Sequence, residues 1–229
     1  MARLQRSFAG TDKEDKTSLA IYRADGDSYR EWKRIIQPDD KLKYSGQISI
    51  SADGKRLAVV HSDQFVRVWR FEGGSDMTPT DFHYAGWASR MQLSPNGRFL
   101  VLTDAEHRTS LLDLHKGQSA NFRPLLEGAS VNSIAFSPDE RYLALGTDND
   151  TARVFDITLP EGEIANLLHT GWITAMAFSD DSKYLATATD QINGNESYPV
   201  RIWLLQPADL IAEAQSRLAP FQQNDPPSR

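Results

Sequence analysis

The sequence predicts an all-β repeat protein, and three observations carry that prediction. One phrase is written four times, as Ile48–Ala58 (ISISADGKRLA), Met91–Val101 (MQLSPNGRFLV), Ile134–Ala144 (IAFSPDERYLA) and Met176–Ala186 (MAFSDDSKYLA). The serines of these copies, Ser51, Ser94, Ser137 and Ser179, lie 43, 43 and 42 residues apart. A fixed period of that length marks a repeat architecture, in which each unit buries its apolar face only against its neighbours. Around each serine, short stretches alternate apolar and small polar residues, as half-buried strands do.

The third unit shows the elements in order. Val131–Ser137 reads as a first strand. Pro138, Asp139 and Glu140 supply a turn, Pro by fixing φ and Asp by bonding its own backbone. Arg141–Gly146 is the second strand, Thr147–Asp150 another turn, and Thr151–Asp156 the third strand. Asp148, Asn149 and Asp150 resemble the start of a calcium loop, but the glycine and distal glutamate of such a loop are missing, so they read as a turn. A weaker outer strand, Ile164–Leu168, precedes the next unit at Gly171. Four antiparallel strands in about 43 residues, repeated, are the signature of a propeller blade.

The third strands Val66–Arg70 (VRVWR), Ala152–Asp156 (ARVFD) and Val200–Leu204 (VRIWL), with the Ser-Pro-Asp-Gly-like turns, resemble bacterial WD-repeat proteins over roughly residues 40–206. The resemblance implies a WD-repeat β-propeller whose blades are stiffened by a relay of His, Ser or Thr, Asp and Trp. The last unit keeps most of that relay, in His169, Asp190 and Trp203, and Asp63 and Trp69 stand at the matching positions of the first. Elsewhere the His position reads Lys41, Tyr84 and Glu127, and the Trp position reads Leu112 and Phe155. These departures imply blades held mainly by apolar packing. His169 and Asp190 read as structural residues rather than catalytic ones.

The expected organisation is a propeller over 1–206 with a C-terminal appendage over 207–229. A partial blade occupies 1–40, with Ser18–Arg23 as a third strand and Tyr29–Ile35 as an outer strand. Repeats follow at 41–84, 85–127, 128–169 and 170–206, an incomplete ring of about 4–5 four-stranded blades. A short helix then carries Leu210, Ile211, Ala214 and Leu218 on one face, before a flexible tail. Three arrangements of the arc stay open: part of a longer propeller, closure by self-association or by a companion chain, or an arc whose helix covers one edge.

A net charge of −6 over 229 residues argues against nucleic acid as a partner, since phosphate binding needs a surplus of Lys and Arg. With no cysteine, disulfides and thiolate metal sites are excluded. The basic N-terminus lacks the apolar stretch of a secretory signal, and no run approaches the roughly 18 apolar residues of a membrane span. The expectation is a cytoplasmic protein that does not engage a membrane. The five histidines are scattered, and neither a nucleophile elbow, a zinc-protease pair nor a phosphate-cradling loop is present, so neither enzyme activity nor a cofactor or metal is expected.

Candidate binding residues come from register. The position just before the first strand reads Tyr44, Trp87, Ser130 and Trp172. Three large aromatics there suit either a surface for a protein partner or packing between blades. In the last unit the loop Gln191–Pro199, with Asn193 and Tyr198, is about six residues longer than its counterpart. It reads as a specificity element or as a tolerated insertion. The function expected is a non-catalytic interaction or sensor scaffold in a bacterial signalling or defence assembly. The alternative is a propeller that gates substrate to a hydrolase or peptidase domain encoded elsewhere.

Overall fold

The computed structural model describes residues 18–25, 28–36, 44–61, 64–71, 79–84, 86–160, 162–190 and 200–205. The expected helix and tail over 207–229 lie outside the described residues, as do Lys41, Asp63, Asn193 and Tyr198 and the side chain of Tyr44. The chain divides into two compact units, Met1–Gly128 and Ala129–Arg229. The division falls within a residue of the boundary between the second and third repeats.

In the first unit, β1 (Ser18–Asp25) and β2 (Ser28–Ile36) form an antiparallel ribbon. Strands β3 (Tyr44–Ile50), β4 (Arg56–His61), β5 (Phe65–Arg70) and β6 (Thr80–His83) make a four-stranded sheet in sequence order. A second such sheet holds β7 (Ala88–Leu93), β8 (Phe99–Asp104), β9 (Thr109–Asp113) and β10 (Arg123–Leu126), with a 3₁₀ turn at Leu114–Ser119. The second unit repeats the pattern with β11 (Val131–Phe136), β12 (Tyr142–Thr147), β13 (Thr151–Asp156) and β14 (Glu163–Leu168). Its other sheet has three described strands, β15 (Ile173–Phe178), β16 (Tyr184–Thr189) and β17 (Val200–Leu204). The result is an all-β architecture of four blade-like sheets not closed into a barrel, consistent with an incomplete propeller.

The recurring serine is a turn clamp. Ser51, Ser94, Ser137 and Ser179 each accept, at Oγ, the backbone N–H that opens the second strand, at 2.9, 2.9, 2.8 and 3.0 Å. In three of the four repeats the same hydroxyl donates to an aspartate two residues on: Ser51 to Asp53, Ser137 to Asp139 and Ser179 to Asp181. Those aspartates in turn accept the N–H of Lys55, Arg141 and Lys183, which closes the turn on itself. For Asp53, burial opposes ionisation, but these bonds outweigh it and hold the carboxyl below its ordinary value. The turn also requires one residue with positive φ, supplied by Gly54, Gly97, Glu140 and Ser182 at 70°, 72°, 58° and 61°. Glycine adopts that conformation without strain, so the first unit uses the less costly residue.

Neighbouring sheets meet through a fixed set of register positions. In the first unit Ala58, Val60, Val66, Val68 and Phe82 pack against Met91, Leu93, Leu100, Leu102, Leu112 and Leu114. In the second, Ala135, Ala144 and Val154 meet Leu185, with Met176, Phe178 and Trp203 alongside. The closest approach there is at Gly146, where an added Cβ would sit 2.5 Å from Cγ2 of Ile173. The matching positions of the first unit are Val60 and Ala88, so the large and small partners have changed sides. Backbone and hydroxyl bonds also cross each joint, from Leu93 N–H to Ser49 Oγ (2.9 Å) and from Asp139 N–H to Ser182 Oγ (3.2 Å).

Candidate interaction site

Trp87 and Trp172 occupy equivalent places in the two units, and both rings face solvent, at 57% and 49% exposure. Their backbones are held rigidly. The Trp87 carbonyl accepts the Ala105 N–H at 2.8 Å, and the Trp172 carbonyl accepts the Asp190 N–H at 2.9 Å. The glycine before each tryptophan stands where a side chain would be crowded. A Cβ on Gly171 would collide with the Asp190 carbonyl, and one on Gly86 would lie 2.9 Å from Asp104 Oδ2, at a φ of 138°. In the third repeat Ser130 fills the place, its carbonyl accepting the Asp148 N–H and its own N–H donating to Asp148 Oδ1, each at 3.0 Å. The backbone device thus recurs, with a large exposed ring in two of its three described instances. Of Tyr44, the described feature is its strand register opposite His61.

Below Gly86, a cleft of about 380 Å³ lies within the first unit. Tyr84, Phe122 and Leu102 line its apolar side, and Asp104, Arg108 and Glu127 its polar side. Asp104 accepts the N–H groups of Glu106 and Arg108 at Oδ1 and the Arg108 Nε–H at Oδ2 (2.8 Å), so the polar wall is preorganised. Tyr84 spans the floor, its hydroxyl accepting the Ala88 N–H at 2.9 Å. Sequence reasoning passed over Asp104 and Arg108. Their signal was an aspartate at the end of a second strand with an arginine four residues on.

Two of the three relay residues of the last repeat, His169 and Trp203, are joined through Thr187, which sequence reasoning did not single out, and Asp190 stands outside this chain. His169 Nδ1 lies 2.9 Å from the Leu167 carbonyl, which only accepts, so Nδ1 carries the proton. Nε2 then accepts from the Thr187 hydroxyl at 2.7 Å, and Thr187 Oγ1 accepts the Trp203 Nε1–H at 3.0 Å. Burial pushes the His169 pKa below its ordinary 6.5, which matches this neutral tautomer. The His169 and Trp203 rings meet edge to face at 5.5 Å. Asp190 is exposed at the end of β16. The positions matching Thr187 read Val59, Leu102 and Leu145, all buried, so no hydroxyl is available there to form the chain. Trp69, the counterpart of Trp203, is buried at the Leu57 register position. Among the described residues, no group of three or more His, Asp or Glu is placed to hold a metal ion. No described helix is long and apolar enough to cross a membrane.

Four-stranded antiparallel sheets that recur in register, with the same clamp in every turn, define a β-propeller. The profile of the WD domain, G-beta repeat family matches residues 123–156 and 163–192, so a WD40 domain occupies this part of the chain. Among characterised proteins, the chain is similar to the Actin-interacting protein 1 of Drosophila melanogaster, 25% identical over 121 residues, which are 52% of this chain and 20% of that protein. It is also similar to the Putative guanine nucleotide-exchange factor SED4 of Saccharomyces cerevisiae, 26% identical over 82 residues, 36% of this chain and 7% of that one. The chain thus matches only a small part of each relative's length. Among solved structures, it resembles the Cps50 (Swd1) β-propeller domain of Myceliophteria thermophila with a TM-score of 0.54 and 14% identity, covering 82% of this chain and 64% of that one. Hydrazine synthase of Kuenenia stuttgartiensis gives the same TM-score at 19% identity, over 74% of this chain and 49% of that one. Likeness at these identities speaks to the fold.

Proposed function

We propose that the chain is a non-catalytic WD40 module that binds a protein partner through its exposed tryptophans. The observation that carries this reading is the pair Trp87 and Trp172, each large, solvent-facing and held at its backbone carbonyl by a hydrogen bond. Rigid aromatics held out of the core lose little entropy on binding and supply much of an interface's energy. Asn193 and Tyr198, in the stretch that follows Asp190 in the sequence, are further proposed contact residues. The setting we propose is a cytoplasmic signalling or defence assembly of a bacterium, in keeping with the sequence resemblance. Self-association or a companion chain is a further partner in this reading.

The test replaces each tryptophan singly with alanine and compares affinity capture by the variant and parent chains, with far-UV circular dichroism as the control. Partners that disappear from both variants while the spectrum is unchanged support the reading. If the spectrum collapses instead, the rings are part of the core and the proposal fails. Light scattering addresses ring completion by self-association, for which dimers or larger species are expected and a stable monomer is the contrary result.

A further inference from the structure

The cleft of about 380 Å³ in the first unit stands where the last repeat keeps an arginine and a tryptophan. Strand register makes the match. On β17, Arg201 lies opposite Thr187 and Trp203 opposite Leu185 of β16. The same positions of the second repeat hold Ser110 opposite Leu102 and Leu112 opposite Leu100. On the facing sheets, Leu168 ends β14 and His169 follows it, as His83 ends β6 and Tyr84 follows it. In the last repeat Arg201 Nη1–H crosses the joint to the Leu168 carbonyl at 2.7 Å, and the Trp203 ring meets His169. In the second repeat a serine is too short for that crossing, and a leucine fills less space than an indole. His83, Tyr84, Leu102 and Ser110, the counterparts of Leu168, His169, Thr187 and Arg201, line the cleft that results.

The walls suit a guanidinium. Asp104 holds Arg108 Nε at 2.8 Å, and Glu106 lies 3.4 Å from Arg108 Nη2. Asp104 foremost, then Glu106 and Glu127, raise the Arg108 pKa above its ordinary value, so three carboxylates act on one guanidinium. The polar side therefore carries an excess of negative charge. Tyr84 and Phe122 meet edge to face at 6.2 Å and give the cleft an aromatic side. The aliphatic stem and flat head of an arginine pack well on such rings. The volume falls within the roughly 300–1,000 Å³ of ligand sites.

We propose that this cleft takes an arginine side chain of a protein partner, its guanidinium in the field of Asp104 and Glu127 and its stem against Tyr84 and Phe122. The partner's arginine would stand in for the one that the second repeat lacks. A residue within a peptide chain fits better than free arginine, whose α-carboxylate would be repelled by the acidic wall. Arginine fits better than lysine, whose compact, strongly hydrated ammonium gains less from aromatic surface. The proposal does not rest on the tryptophan reading.

The probe is a dye-labelled peptide with one arginine between leucines (GLRLG, amidated), titrated into the full chain by fluorescence anisotropy. Beside it run the same peptide with citrulline, which keeps the shape without the charge, and with lysine. The arginine peptide should bind about tenfold more tightly than the citrulline form, with lysine between them. In the chain, Ser110→Arg puts an arginine back from within and should weaken the arginine peptide about tenfold or more. Glu127→Gln, at an exposed position, should weaken it about threefold and leave the citrulline peptide unchanged. Equal affinity for the arginine and citrulline peptides overturns the proposal, as does a Ser110→Arg chain that folds and binds like the parent. If circular dichroism shows that Ser110→Arg does not fold, Glu127→Gln decides, and an unchanged preference for arginine there overturns the proposal. Both tryptophans remain in every variant, so failure here is distinguishable from failure of the tryptophan site.

Discussion

The two sheet-to-sheet joints are built on the same register positions yet filled by different chemistry. In the first unit the joint is mainly apolar, with Val60, Val66, Val68 and Phe82 against Leu100, Leu102 and Leu112, and one hydroxyl bond from Leu93 N–H to Ser49. In the second, small residues at Ala135, Ala144 and Gly146 leave room beside a polar chain from Trp203 through Thr187 to His169 and the Leu167 carbonyl. An apolar joint is tolerant, since hydrophobic surface is non-directional. A hydrogen-bonded chain is directional and leaves orphaned groups when any member is lost. The fold thus needs a filled joint but does not dictate how it is filled.

The largest effect should come from emptying the apolar joint. Leu102→Ala removes a buried side chain and should cost about 2–5 kcal/mol in a urea titration followed by circular dichroism. A loss below about 1 kcal/mol would mean that this joint is not where the first unit draws its stability. Next comes overfilling of the second joint. Gly146→Ala pushes a methyl against Cγ2 and Cβ of Ile173 and should cost about 1–3 kcal/mol, with Ile173→Ala, which removes Cγ2, making the loss in the double variant smaller than the sum of the single losses. Additive losses in the double variant would show that the two residues do not compete for one space.

The polar chain itself comes third. Thr187→Val keeps the shape but leaves Trp203 Nε1–H and His169 Nε2 without their shared partner, for an expected loss of about 1–2 kcal/mol. Adding Trp203→Phe removes one orphaned donor and should recover some of that. The same chain makes a pH prediction. His169 is held neutral, with its folded pKa below the 6.5 of the unfolded chain, so the unfolded state takes up its proton first. Stability should therefore fall as pH drops below 6.5, by up to about 1.4 kcal/mol per pH unit, and stay flat above it. His169→Gln should abolish that slope; an unchanged slope would place its origin elsewhere. The smallest effect is expected at the half-exposed Arg153–Glu163 pair, where Arg153→Ala should cost below about 1 kcal/mol.

The repeat, its strands and its turns were legible because they obey local rules. Alternation exposes a strand, and a serine followed by Pro, Asp or Gly exposes the turn, so β11 to β13 begin and end within a residue or two of where the sequence puts them. The serine itself was visible only as a marker. Its clamp depends on a backbone N–H five residues away, which sequence does not display. Thr187 was missed for a related reason: a threonine inside a strand reads as ordinary β-propensity, and its role follows from which side chains stand across the joint. The tryptophans were placed by register, but exposure had to come from coordinates, because an aromatic before a strand packs inward as readily as outward. The pairing of Arg67 with Asp81 and of Arg153 with Glu163 spans 14 and 10 residues, too irregular a separation to be read from spacing alone.

Gly146 has a consequence beyond its own unit of packing. Where a bare α-carbon lets the branched side chain of Ile173 come close, it governs how far one sheet fans away from the next, much as a shim governs a hinge. A methyl added at that point is a wedge that would force these two sheets apart.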